Sequence, residues 1–346
     1  NVQSLGRLGT RTSIYYISTT FIAVLIGLIM VNFIEPGVGA NIDTTAQSIV
    51  IQNYESSSDS ISFIGMLEEI VPGNIFGALT QENMLGIIFI ALLFGSSLLA
   101  LGSSGSHLKK VIEEFNNVFL KITDWIMVLA PFGVFALVAF MVGNTGFEAL
   151  KPIFFYVATV LIALATHLLF TLSGILVIIV KYSPIVFLKK MFPAIATAFS
   201  TDSSIVTLPV TMECIEKNIG VSKKVSSFML PLGATINMDG TALYEAVAVV
   251  FIAQVFGYDM TIAQQLIIML TAMLASVGAA GIPSAGLVTM VIVLRSVNLP
   301  LEGIGLLLPV DRILDMFRTT VNIISDSCGA MVIATFEGEQ FNTDNA

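Results

Sequence analysis

Asp311, Asp315, Arg318, Asn322 and Asp326 recur at steps of 4, 3, 4 and 4 in the segment DRILDMFRTTVNIISD, inside a run, Ile304 to Ala334, that otherwise reads as membrane helix. At 3.6 residues per turn these positions fall on one face, so the run carries a polar stripe. An ionised side chain at mid-bilayer costs roughly 2.5 to 3.5 kcal/mol even on insertion scales, and Arg312 adds a further charge. Side chains kept at that cost mark the path of a ligand or ion. A network that merely locked helices together would balance its charges, whereas here aspartate outnumbers arginine. A surplus carboxylate in an apolar setting requires a cation, which can be a metal ion, a proton or a substrate ammonium.

The elements around the stripe carry their own signals. Val225 to Phe256 contains Pro231, Gly233 and Gly240 on either side of Asn237-Met238-Asp239. These breakers predict a helix unwound at mid-membrane, with free backbone carbonyls beside the Asp239 carboxylate, a donor set suited to a hard cation such as Na⁺. Met191 to Lys217 reads as apolar, then Ser200-Thr201-Asp202-Ser203-Ser204, then apolar again, with lysines at both ends. That pattern predicts a re-entrant hairpin with a polar tip. Ile262 to Leu294 carries no charge and centres on Gly278-Ala279-Ala280-Gly281-Ile282-Pro283-Ser284-Ala285-Gly286. Two helical arms of about 15 residues each reach roughly 22 Å, enough to enter and turn back but not to cross. Hairpin then broken helix, followed by a hairpin from the opposite side then the polar helix, is an inverted repeat, the layout of a secondary transporter.

Composition agrees with this reading. Of 346 residues, 55% are hydrophobic and only 11% charged, against about a quarter charged in soluble domains, so the chain reads as an all-α polytopic membrane protein. No Lys or Arg occurs between Arg11 and Lys109. Lys109/Lys110, Lys181, Lys189/Lys190, Lys217 and Lys223/Lys224 flank apolar runs. The positive-inside rule places those clusters in the cytoplasm and the acidic, serine-rich loop Glu35 to Ser62 outside. Ile14 to Phe33 reads as a span with an early polar patch, Tyr15, Tyr16, Ser18, Thr19 and Thr20. Phe63 to Gly102 reads as two segments broken at Pro72-Gly73 and around Gln81 to Asn83, and Val118 to Val142 as a helix kinked at Pro131. His167, alone in the uncharged stretch Pro152 to Val180, reads as a packed neutral side chain. Cys214 and Cys328 indicate no disulfide framework. The chain begins with Asn1 and looks trimmed ahead of its first apolar run.

NMDGTALYEA (Asn237 to Ala246), the serine-bearing tip before TLPVT (Thr207 to Thr211), AAGIPSAG (Ala279 to Gly286) and the spaced pattern Asp311 to Asp326 resemble the glutamate/aspartate transporter family of dicarboxylate/amino acid:cation symporters. The resemblance runs from about Leu5 to Ala334. It implies a homotrimer in which a mobile transport domain moves, elevator-like, against a static scaffold. The expected division is scaffold in residues 1–60 and 61–117, mixed helices in 118–185, and a transport core in 186–346. That core holds hairpin one (about 191–217), the broken helix (225–256), hairpin two (262–294) and the last helix (304–334).

By the same resemblance Arg318 clamps the substrate's side-chain carboxylate, a fit for a bidentate guanidinium. Asp315 holds its ammonium, and Asn322, Ser203 and Ser204 take the α-carboxylate. Thr241, Thr319 and backbone near Ile282 complete the pocket, with Asp202 at the hairpin tip. One Na⁺ site takes Asp326 with carbonyls of Gly233, Asn237 and Asn322. A second takes Asp239, Asn237, Tyr16, Thr19 and Thr20. A third takes backbone oxygens of Thr235, Met238, Ser276, Val277 and Ala279 when hairpin two closes over the substrate. Glu245 stands where animal members carry the glutamate linked to H⁺ co-transport and K⁺ counter-transport. The expectation is therefore Na⁺-coupled uptake of L-glutamate or L-aspartate, with H⁺ and K⁺ as further coupled ions and no organic cofactor. The expected partners are the acidic amino acid, Na⁺, the lipid bilayer and two further copies, with no nucleic acid, in the plasma membrane or the inner membrane of a bacterium. Asp202 and Arg312 depart from the family pattern, and their facing positions predict an ion pair between hairpin and last helix.

A neutral amino-acid or C4-dicarboxylate carrier of the same fold is the alternative; neutral-substrate members lack the arginine, and a plain dicarboxylate has no ammonium for Asp315. A channel would need a continuous pore, which the occluding hairpin tips oppose. An enzyme would need a base beside Ser203 and Ser204, and none is in sequence reach.

Overall fold

The protein is described by a computed structural model over residues 2–40, 74–80, 84–129, 150–278 and 285–342, with isolated positions between 130 and 149. Every regular element among the described residues is helical: α1 (Val2–Ile34), α2 (Ile75–Thr80), α3 (Met84–Ala100), α4 (Ser106–Met127), α5 (Leu150–Val180), α6 (Pro184–Thr201), α7 (Ser204–Glu213), α8 (Lys223–Ile236), α9 (Asp239–Val255), α10 (Ile262–Gly278), α11 (Ala285–Ser296) and α12 (Leu308–Phe336). They form two compact units, Asn1–Asn41 with Lys151–Ala346, and Ile42–Leu150.

The larger unit is built around α9, whose side chains are buried on every face but for Gln254. A helix apolar all round belongs in an interior. Helices α1, α10, α11 and α12 pack against it, and α12 also packs against α6 and α8. Helices α8 and α9 would be one 33-residue span but for Asn237 (φ −94°, ψ 89°) and Met238 (φ −115°, ψ 56°), which leave the helical region. The break expected from the Pro and Gly pattern is there. Helices α6 and α7 pair through a tight turn at Asp202-Ser203, and α10 pairs with α11. The tip of that second pair, with Ala279 and Ile282, lies outside the described residues.

Several boundaries differ from the sequence reading. The first hairpin begins at Pro184 rather than near Met191, because Ser183 is extended and Pro184 supplies the first helical turn; Lys189 and Lys190 lie inside α6, not at its end. The last helix begins at Leu308, after a 3₁₀ segment Leu301–Leu306, with Pro309 in its first turn. α1 begins at Val2, and Arg7 and Arg11 on its early turns both reach Glu337, at 3.1 Å each. The compact unit containing the hairpins also takes in α1 and α5, so its boundaries fall at 41 and 151, whereas the expected domain boundaries were 60, 117 and 185.

The smaller unit contains α2 packed on α3, then a 3₁₀ turn, Gly102–Gly105, leading to α4. Helix α4 starts well before the expected Val118. Its apolar residues Leu108, Val111, Ile112, Phe115, Phe119 and Ile122 recur at helical spacing, with Lys109–Glu113 and Lys110–Glu114 pairs between them. The breaks expected at Pro72-Gly73, Gln81 to Asn83 and Pro131, and the loop beyond Ala40, lie outside the described residues.

Among the described residues four stretches are long and apolar enough to cross a membrane: Arg7–Ile34, Leu150–Val180, Lys223–Val255 and Leu308–Phe336. The first two present Ile14, Ile17, Phe21, Phe154, Leu169 and Phe170 outward. The chain is a multi-pass helical membrane protein.

Candidate functional site

The polar stripe of α12 faces α9 and separates into two clusters. The upper one centres on Arg318, whose side chain has no solvent exposure. Its Nη2 meets Asp315 Oδ1 at 2.8 Å and Asp311 Oδ1 at 3.1 Å, and its guanidinium lies over the Tyr244 ring, 3.8 Å from the centroid. The Tyr244 hydroxyl donates to Asp311 Oδ1 at 3.0 Å. Two acids and an aromatic face thus hold one side of the guanidinium in place. On the other side Arg318 Nε and Nη1 are buried and find no hydrogen-bond acceptor among the described residues. Gly286 of α11 lies there: a Cβ at that position would stand 2.8 Å from Nη1. Thr241 and Thr319, both nearly buried, lie on α9 and α12.

Asn322 ties this cluster to the helix break. Its Oδ1 accepts from the Gly240 N–H at 2.7 Å, and its Nδ2 points to Met238 Sδ at 3.3 Å and Thr241 Oγ1 at 3.4 Å. The backbone approach is close enough that a Cβ on Gly240 would fall 2.7 Å from Arg318 O.

The lower cluster contains Asp239, Asp326 and Asn237 and, among the described residues, no lysine or arginine. Asp239 Oδ1 accepts from Thr20 Oγ1 at 2.6 Å, and Oδ2 from Ser325 Oγ at 2.6 Å. Asn237 Nδ2 donates to Asp326 Oδ1 at 2.8 Å and to Ser325 Oγ at 3.1 Å, while Asn237 Oδ1 is buried with no donor among the described residues. Gly233 is pressed against the same group: a Cβ there would stand 2.3 Å from Asp326 Oδ1 and 2.7 Å from Tyr16 Oη. The Tyr16 hydroxyl donates to Met229 O at 2.9 Å, and Tyr15 to Ser325 O at 3.0 Å. Buried carboxylates held by hydroxyls, an amide and, at Asp239 Oδ2, the imidazole of His167 at 3.3 Å, beside carbonyls of a broken helix, form an oxygen-rich setting suited to a small hard cation.

Not every expected residue converges. The Thr19 hydroxyl turns back to Tyr15 O and Tyr16 O, at 3.1 and 3.2 Å, rather than toward Asp239. The Thr235 hydroxyl bonds Leu232 O at 2.9 Å on an exposed part of α8, Ser276 bonds Met273 O at 2.9 Å, and Val277 is 39% exposed. At the first hairpin's tip, Ser203 Oγ accepts from Val206 N at 3.2 Å and so caps α7, with Ser204 buried as its first residue. Asp202 Oδ2 meets Arg312 Nε at 2.7 Å, the ion pair expected from their facing positions. Glu245 is fully buried on α9; Thr289 of α11 donates to its Oε1, and its Oε2 has no partner among the described residues.

The structure adds residues that sequence reasoning missed. His167 is packed, as expected, but its Nε2 lies 3.3 Å from Asp239 Oδ2, where α5 departs into a π-helical segment, His167–Leu172. Such segments frequently accompany functional sites. Ser325 bridges Asp239 and Asn237, and Thr289 reaches Glu245 from α11. Ser325 could have been found as the residue next to Asp326; nothing in the sequence places α5 or α11 against α9.

The profile of the sodium:dicarboxylate symporter family matches residues 1–336. The chain is 36% identical over 347 residues to the proton/sodium-glutamate symport protein of Geobacillus stearothermophilus, covering 99% of this chain and 82% of that one. It is 35% identical over 339 residues to the proton/glutamate-aspartate symporter of Bacillus subtilis, covering 97% and 81%. It is also 37% identical over 374 residues to excitatory amino acid transporter 3 of Mus musculus, covering 95% and 72%.

Proposed function

The chain belongs to the sodium:dicarboxylate symporter family, and from that premise we propose that it is a secondary transporter carrying L-glutamate or L-aspartate across the membrane with Na⁺ and H⁺. The observation that carries the substrate assignment is Arg318: a buried guanidinium, pinned by Asp311, Asp315 and Tyr244, with Nε and Nη1 left without acceptors among the described residues. A carboxylate that accepts from Nη1, with a further acceptor at Nε, completes the site; the Cδ methylene lies between these two N–H groups, so they are separate positions. In this reading the side-chain carboxylate of the substrate meets Arg318 and its ammonium meets Asp315. The α-carboxylate meets Asn322 and the amino-terminal turn of α7 at Ser203 and Ser204, where the positive end of the helix dipole favours an anion. Thr241, Thr319 and the backbone about Ile282 close the pocket.

Na⁺ enters the reading as cargo. Asp326 with carbonyls of Gly233, Asn237 and Asn322 forms one binding set. Asp239 with Asn237, Thr20, Tyr16 and Thr19 forms another, with the Thr19 side chain rotating from its present bond. Thr235, Met238, Ser276, Val277 and Ala279 contribute backbone oxygens to a third on closure of hairpin two. Asn237 serves two of these sets and Asn322 serves both Na⁺ and substrate, so each occupant favours the arrangement the other needs, and binding is cooperative. Glu245, linked by Thr289 to the α10–α11 pair, takes the coupled proton, with K⁺ return as the counter-step. The two helical pairs are re-entrant, related with their following helices as an inverted repeat. The unit of residues 1–41 and 151–346 is the moving part of an elevator, residues 42–150 belong to the scaffold, and three copies assemble.

Uptake of labelled L-glutamate and L-aspartate into proteoliposomes, with Na⁺, H⁺ and K⁺ gradients imposed one at a time, tests this. Accumulation that needs inward Na⁺ and is lost in Arg318→Ala supports the reading. Accumulation of neither substrate under any gradient, by folded protein, refutes it in favour of the neutral or C4-dicarboxylate alternative.

A further inference from the structure

Between α6 and α7 the chain reverses through a residue in the left-handed region: Asp202 has φ 51° and ψ 32°, and its N–H closes α6 on Ala198 O at 3.0 Å. Aspartate tolerates that region better than most residues. Its side chain is 2% exposed; Oδ2 meets Arg312 Nε at 2.7 Å, whereas Oδ1 is buried with no hydrogen-bond partner among the described residues. Arg312 itself is 55% exposed, so the pair consists of a desolvated acid and a base that water can still reach. A second contact joins the same two elements, Phe199 of α6 meeting Phe317 of α12 edge to face at 5.2 Å.

The pair sits next to the substrate machinery on both sides. Asp202 immediately precedes Ser203, the cap of α7, and Arg312 immediately follows Asp311, an acid that holds Arg318. Asp202 is also close enough to Asp311, Asp315 and Arg318 for their charges to act on it. Among the described residues Arg318 keeps two donors without acceptors, and Asp202 is a buried carboxylate whose only ion-pair partner is Arg312. A buried acid stripped of its base turns to the nearest available cation. Among the described residues the cation besides Arg312 whose charge acts on Asp202 is Arg318, the group the substrate carboxylate needs.

We infer that Arg312 is a positioning residue for substrate binding: by engaging Asp202 it seats the Ser203-Ser204 turn on α12 and keeps the Asp202 carboxylate from competing with the substrate for Arg318. This rests on the proposed assignment of Arg318 to the substrate. It makes the two single variants unequal. Arg312→Gln leaves the competitor in place, whereas Asp202→Asn removes the competitor and loses only the seating.

The test is a double-mutant cycle in proteoliposome uptake, reading the KM for L-aspartate and L-glutamate, the maximal rate, the Na⁺ half-saturation and the thermal midpoint of each variant. Arg312→Gln is expected to raise the substrate KM about tenfold, Asp202→Asn about threefold, and the double variant to match Asp202→Asn within about twofold. Na⁺ half-saturation measured at saturating substrate stays unchanged. A purely structural pair would lower the midpoint in every variant and leave KM alone, and that outcome overturns the inference. So does a double variant as impaired as Arg312→Gln. If Arg312→Gln does not fold, the double variant, which buries no unpaired charge, still decides: a KM more than about fivefold from that of Asp202→Asn means Arg312 acts other than through Asp202. Wild-type protein that accumulates neither substrate refutes the functional reading itself, a result distinct from any of these.

Discussion

Two clusters on one helix, about 12 Å apart along α12 at the helical rise, solve the burial of charge in opposite ways. Around Arg318 the base is present and two acids and a tyrosine face hold it; what is left unsatisfied is a pair of N–H donors. Around Asp239 and Asp326 the acids are present without lysine or arginine among the described residues. There a side-chain oxygen, Asn237 Oδ1, is left unsatisfied. Unfilled donors call for an anion and unfilled acceptors for a cation. In the proposed reading the same stripe serves two kinds of cargo, and the break between α8 and α9 lies where the clusters meet.

The largest expected effect breaks the comparison at its base. Arg318→Ala removes both free donors and strands Asp311 and Asp315, and should lower uptake efficiency for glutamate and aspartate by about a hundredfold or more, the scale for cutting one partner from a buried charge pair. Measured beside a neutral amino acid such as serine, the loss should be confined to acidic substrates. Equal loss for both would mean that the variant damages the fold rather than the anion site. Next is Asp239→Asn, nearly isosteric, which takes one negative charge from the arginine-free cluster. The Na⁺ concentration giving half-maximal uptake should rise about tenfold or more, with the choice between acidic and neutral substrates unchanged. An unchanged Na⁺ dependence would remove Asp239 from the cation path.

A smaller effect separates the proton from both clusters. Glu245 is fully buried, away from the Asp239 group, and is held by Thr289 of the α10–α11 pair. Glu245→Gln keeps the shape and a hydrogen bond but carries no titrating proton. Uptake by this variant should keep its Na⁺ dependence and lose its response to an inward H⁺ gradient; persistence of that response would assign the proton elsewhere.

The stripe was legible in the sequence because charge in a membrane helix is expensive and its spacing is periodic. The helix break was legible because Pro231, Gly233 and Gly240 are conformational signals in their own right. What could not be read are contacts between segments far apart in the chain. His167 looked like a packed neutral side chain, and it is packed, yet α5 brings it to Asp239. Thr289 looked like one residue of an apolar arm until α11 was set against Glu245. Lysines were the least reliable guide: Lys189 and Lys190 were read as a helix end, but the start of α6 is decided by Ser183 and Pro184. In the first half of α4 the charges of Lys109, Lys110, Glu113 and Glu114 interrupt the apolar stripe in the sequence, and the helix emerges only from the structure.

The finest test uses one glycine in each cluster whose missing Cβ leaves room for a functional side chain. At Gly233 an added methyl would stand 2.3 Å from Asp326 Oδ1 and 2.6 Å from its carboxyl carbon. At Gly286 it would stand 2.8 Å from Arg318 Nη1 and 3.4 Å from Cζ. Neither contact is tolerable without movement, but they displace different groups. Overpacking of this kind costs about 1–3 kcal/mol, or about tenfold in an equilibrium near the lower end of that range. Gly233→Ala, the tighter of the two, should raise Na⁺ half-saturation about tenfold and leave substrate preference unaltered. Gly286→Ala, which meets the free side of the guanidinium, should raise the KM for acidic substrates about threefold and leave Na⁺ half-saturation at saturating substrate unaltered. If the two variants shift both parameters together, the clusters are one site that moves as a unit, and the division between an anion end and a cation end fails.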